Sequence, residues 1–162
     1  MSVAWCFYKL FNASSIKTAP ELPAMTLANV CYNSMFSGCS SLTQAPSLPA
    51  TTLTNNCYRS MFYGCTSLST APALPATTLQ SGCYNSMFEG CTSLMIVPEF
   101  TLQSAPDYCC QRMFKGCTSL SSTSIHLNAT RAGWKSYQEM FNGCSSLTSA
   151  PEISISGDDG TG

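Results

Sequence analysis

Apolar positions along this chain come in two alternating kinds of block. In NNCYRSMFYGC, residues 55–65, Cys57, Met61 and Cys65 stand four apart with Phe62 beside them. A step of four lines up one face of a helix, so this block predicts a short helical turn that stops at Gly64. In SLSTAPALPATTL, residues 67–79, Leu68, Ala71, Leu74 and Leu79 follow at short, uneven spacing. That block predicts a brief strand, kept short or bulged because Pro72 and Pro75 have no amide to donate.

The two blocks recur as a unit. Met35-Phe36, Met61-Phe62, Met87-Phe88, Met113-Phe114 and Met140-Phe141 keep one step, as do Cys39, Cys65, Cys91, Cys117 and Cys144, spaced 26, 26, 26 and 27 apart. A worn copy opens the chain with Cys6, Leu10-Phe11, Ile16 and Ala19-Pro20; it is one residue short and lacks the second cysteine. A period of about 20–29 residues with spaced leucines marks a leucine-rich-repeat solenoid, whose units bury their apolar sides only by stacking. The expected fold is therefore an α/β repeat, a leucine-rich-repeat solenoid of ~26-residue units, each with a short helical turn and a short parallel strand. One domain is expected over residues 1–155, with six units of which the first and last are degenerate; the Gly-rich end, 156–162, is expected to be a disordered tail.

The predicted core follows the repeat. It comprises Cys31, Met35, Phe36, Cys39 and Leu42; Cys57, Met61, Phe62, Cys65 and Leu68; Cys83, Met87, Phe88, Cys91 and Leu94. It continues through Cys109, Met113, Phe114, Cys117 and Leu120, then Met140, Phe141, Cys144 and Leu147. Tyr32, Tyr58 and Tyr84 make an aromatic row that stacking between coils explains, and Cys110 stands in that row one unit later.

The string Met61-Phe62, Cys65, Ser67-Leu68 and Ala71 through Pro75, repeated along the chain, resembles the BspA-like leucine-rich repeats of bacterial surface proteins. That family's unit runs through an Ala-Phe pair, a Cys, Ser-Leu and an apolar strand ending in Pro. Here Met replaces Ala, a second cysteine precedes the Phe by five residues, and the strand region carries one extra residue. The resemblance covers roughly Cys6 to Ile155. It implies a cell-surface or secreted setting, a role in adhesion or partner binding, and no enzymatic activity of the repeats.

Charge narrows the partners. Charged residues are 9% of the chain, against about a quarter ordinarily, and the formal net charge is −1. No basic footprint argues for nucleic acid. No apolar run approaches the ~20 residues of a membrane span. The opening MSVAWCFYKLF has neither a basic leader nor a small-residue cleavage site.

Eleven cysteines raise three readings: stacked reduced thiols, a set of disulfides, or metal ligation. A helical Cys57–Cys65 block would separate their Cα atoms by about 12 Å, and helical turns of successive units would stand about 8–10 Å apart. Both exceed the ~7 Å limit for a disulfide, so reduced thiols are the favoured reading. The end units agree, because Cys6 and Cys144 each lack the other member of the pair. Zinc has little support, with no CxxC spacing and one histidine, His126. No cofactor or metal is expected, and neither a nucleophile motif nor a phosphate loop suggests an enzyme.

A repeat protein reads partners through the rows that vary. The candidate binding face is Gln44, Ser47, Thr70, Ala73, Met95, Ile96, Glu99, Ser122 and Ile125, beside the predicted strands. The expected function is a non-catalytic module that binds a protein or glycan. The alternative is a structural role in which coils stack end to end or decorate a larger particle. Trp5, Phe7 and Phe11 at the opening unit favour that alternative, since an uncapped end should self-associate.

Overall fold

A computed structural model describes residues 4–98, 100, 102–121, 126–127, 129–150 and 152–153, without the side chains of His126 and Ile153. The chain is a repeat protein whose ~26-residue units wind into coils stacked one on the next. The expected helical turns are absent: among the described residues there is no helix, and each such block is a run of overlapping β-turns. Cys31, Asn33, Met35, Ser37 and Cys39 each donate the amide to the carbonyl three residues back. The intervening amides of Val30, Tyr32, Ser34, Phe36 and Gly38 donate instead to Asn55, Cys57, Arg59, Met61 and Tyr63 of the next coil.

An α-helix would use all these amides internally. Sharing them between coils lets the coils close to sheet-like separation, and Phe36, Phe62 and Phe88 stack with centroids 5.7 and 5.6 Å apart. Helices would have stopped near 8–10 Å. The four-residue step survives, because every second turn needs its third residue at positive φ. Val30, Ser34 and Gly38 have φ of 62°, 54° and 76°, and Asn56, Ser60 and Gly64 repeat the set. Left-handed backbone costs about 1–2 kcal/mol for an ordinary residue, yet Trp5, Lys9, Tyr108 and Arg112 adopt it as well, each with its amide bonded to the next coil. The column Gly38, Gly64, Gly90, Gly116 and Gly143 keeps it without that cost.

The proline-bearing side has little regular structure. The only strands among the described residues are β1 (His126–Leu127) and β2 (Glu152–Ile153), paired in parallel. Elsewhere single parallel bridges join Thr18 to Gln44, Thr26 to Thr52, Thr52 to Thr78, Thr70 to Ile96 and Ala105 to Ala132. The short strand expected in every unit is thus reduced to isolated bridges, since the prolines interrupt the donor series. Residues 156–162 lie outside the described residues.

The core fills the space between the two sides. Nearly all the predicted core side chains are buried, with Leu22, Leu27, Leu48, Leu53, Leu74 and Leu79 added from the proline side. Phe141 and Leu147 are only partly buried, because they belong to the last coil and are covered on one side.

Candidate binding face

The face begins with the line of bridges. Gln44, Thr70 and Ile96 are exposed and sit at successive bridge positions, with Ser47 and Ala73 exposed farther along their coils. Met95 is 50% exposed and Ile96 65%, while Val97 turns partly inward. Glu99, Ser122 and Ile125 lie outside the described residues.

Between coils the face is ribbed. Thr43, Gln44, Ser69, Thr70 and Pro72 line one open groove of ≈ 330 Å³. Pro46, Ser47, Pro49, Pro72, Ala73 and Pro75 line a second of ≈ 270 Å³, and Pro20, Glu21, Leu22, Pro23, Pro46 and Pro49 help line a third of ≈ 300 Å³. The prolines form the ribs. They cannot donate across the gap, so neighbouring coils part there instead of zipping together. Variation along the rows points to the exposed residues but not to these walls, whose signal in the sequence is the recurring A-P-x-L-P-A string.

Behind this face lies the sulfur seam. All eleven cysteines are free thiols, and all but Cys6 are buried. Distance is not what keeps the thiols apart, because coils sit closer than helices could: the sulfurs of Cys6 and Cys31 are 2.6 Å apart. The second cysteine row has a specific task. Cys65 Sγ donates to the Phe36 carbonyl at 3.1 Å, Cys91 to Phe62 at 3.0 Å, Cys117 to Phe88 at 3.1 Å and Cys144 to Phe114 at 3.1 Å. Each of these carbonyls already accepts the amide three residues on, so the thiol uses its second lone pair. Ser14, which replaces the cysteine in the first coil, places its hydroxyl 3.4 Å from Cys39 Sγ.

Burial makes these thiols hard to ionise. It pushes Cys65 and Cys117 up to about 12, and Cys31 to about 12 with help from its hydrogen bond to Cys6. A hydrogen bond to Cys109, together with burial, raises Cys83 to about 12. Such thiols are poor nucleophiles and poor metal ligands. Among the described residues no three His, Cys, Asp or Glu side chains gather as a metal site would require.

The outer row of the turn side carries one cluster of charges. Glu139 accepts from Lys115 at 2.6 Å and from Arg112 at 3.2 Å, and these contacts lower its carboxyl to about 2. Exposed pairs of this kind add little stability. Among the described residues no helix is long and apolar enough to cross a membrane. No family model, no curated protein and no solved structure matches this chain.

Proposed function

We propose that the chain is a leucine-rich-repeat module of the BspA-like kind, without catalytic activity, that holds an extended segment of a partner protein along its ribbed face. One observation carries the reading: the exposed residues Ser47 and Ala73 line a groove walled by Pro46, Pro49, Pro72 and Pro75, and Gln44 and Thr70 line a more polar groove that shares Pro72 with it. Such grooves offer apolar ribs and nearby hydroxyl and amide groups, the chemistry that receives an extended peptide. Met95 and Ile96 supply an apolar anchor at the far end of the row. A protein is favoured over a glycan because the stacked tyrosines suited to a sugar ring, Tyr32, Tyr58 and Tyr84, are buried. The surface or secreted setting belongs to the same proposal and rests on the resemblance alone.

Selection from a random peptide display library on the intact chain tests this. Enriched peptides are expected to lose about tenfold or more in affinity with Thr70→Arg and Ile96→Arg, and to be indifferent to Lys115→Ala on the opposite side. Enriched peptides that ignore both groove substitutions would overturn the proposal. So would binding confined to a glycan array.

A further inference from the structure

On the turn side the hydrogen bonds between coils run one way, whereas on the proline side some run back, as from Thr43 to Lys17 and from Met95 to Ser69. Amides of one coil donate to carbonyls of the coil that follows it, from Trp5, Phe7, Lys9, Phe11 and Ala13 at the start to Tyr108, Cys110, Arg112, Phe114 and Gly116 at the last junction. A stack built so has two unlike ends. At the first coil the carbonyls of Ala4, Cys6, Tyr8, Leu10 and Asn12 have no partner among the described residues. At the last coil the amides of Lys135, Tyr137, Glu139, Phe141 and Gly143 have none either. One end is a row of five acceptors and the other a row of five donors, on the same spacing that every internal junction uses.

The side chains match as well as the backbone. The phenylalanine column runs from Phe11 to Phe141 with steps of 5.5 to 5.7 Å, and both terminal rings have one face without a neighbour in the column. Phe7, stacked on Tyr32 at 5.5 Å, heads the aromatic row through Tyr58 and Tyr84; Cys110 takes the next place in that row and Tyr137 the last. Trp5, Phe7, Tyr8 and Leu10 are exposed on the first coil, the densest cluster of exposed large apolar side chains among the described residues.

The geometry points to a second copy of this chain as the partner of each end: the last coil of one molecule donates to the first coil of the next. Lys135, Tyr137, Glu139, Phe141 and Gly143 then pair with Ala4, Cys6, Tyr8, Leu10 and Asn12 of the following copy, Phe141 stacks on its Phe11, and Tyr137 on its Phe7. Unpaired edges of this type are templates for further pairing. Because the two surfaces differ, the contact does not close on itself, and repetition builds a filament rather than a dimer. Each copy contributes six coils, so the rise per molecule is about 29 Å at ~4.8 Å per coil. This inference stands apart from the groove reading, since the ends and the ribbed face are different surfaces.

Light scattering on the full chain over about two decades of concentration around the micromolar range tests it. The average mass is expected to climb steadily with concentration, and electron microscopy to show filaments with the rise given above. Two blocked variants sharpen the test: Leu10→Arg closes the acceptor end and Tyr137→Arg the donor end. Each alone is expected to be monomeric, and their mixture to give a 1:1 dimer that grows no further. That dimer also demonstrates that both variants fold; should Tyr137→Arg fail to, the exposed Asn142→Arg replaces it. A wild-type monomer at the highest concentration overturns the inference. So does a dimer formed by either blocked variant alone, which would mean like ends meet.

Discussion

The two sides of each coil solve the same stacking problem differently. On the turn side, every second amide reaches the next coil, and Phe, Tyr, Met and Cys form continuous columns with almost no exposed surface. On the proline side, residues 45–50 and 71–76 carry no backbone hydrogen bond to each other, and coils meet at single bridges with a few bonds beside them and at the short β1–β2 pair. The turn side therefore tolerates little change, whereas the proline side leaves grooves and varies freely. A closely packed side and a grooved side are thus combined within one 26-residue unit.

Alkaline pH is expected to break the turn side with the largest effect. A buried thiol whose folded pKa exceeds its unfolded value of about 8.5 keeps its proton where the unfolded chain has lost it. The stabilisation is complete below that value and drains away as pH rises toward the folded value. Cys65, Cys83 and Cys117 sit at about 12, and burial likewise raises Cys91. Each contributes a loss of about 1.4 kcal/mol per pH unit above ~8.5, so chemical denaturation should show cooperative unfolding as pH passes roughly 10. A denaturation midpoint that is flat from neutrality to that pH would contradict the buried seam.

Single substitutions compare the sides directly. Phe88→Ala removes a ring stacked on both faces, by Phe62 and Phe114, and is expected to cost about 3–5 kcal/mol in urea denaturation. Ala73→Ser on the exposed proline side should stay within about 0.5 kcal/mol. Equal costs would mean that the sides are not energetically distinct.

The smallest effect runs the other way. The hydroxyls of Tyr58, Tyr84 and Tyr137 are buried and have no hydrogen-bond partner among the described residues. An unsatisfied buried hydroxyl is unfavourable, so Tyr84→Phe should raise stability by about 1 kcal/mol while the ring keeps its place in the column. Destabilisation on thermal melting would indicate that the hydroxyl has a role in the folded state.

Several features were legible in the residues themselves. The repeat length, the unit boundaries and the inward positions, such as Met61, Phe62, Cys65 and Leu68, follow from a pattern that only stacking can bury. The sign of the local backbone was not equally legible. A four-residue apolar step fits an α-helix and also a ribbon of β-turns, and apolar spacing does not distinguish them. Composition held part of the clue: a glycine recurs at Gly38, Gly64, Gly90, Gly116 and Gly143, Asn56 and Gly82 stand eight residues before two of them, and the block has few strong helix formers.

The chain alone thus determined that copies stack, and which side chains they hide. Tertiary structure decided how closely. Amides that a helix would have kept to itself are given to the neighbouring coil, which brings rings to within 6 Å, puts thiols beside carbonyls and leaves opposite polarity at the two ends. That choice depends on contacts about 26 residues apart in sequence. Their hydrogen bonds exist only once a second coil is present to receive them, so no single unit, read alone, could have announced it.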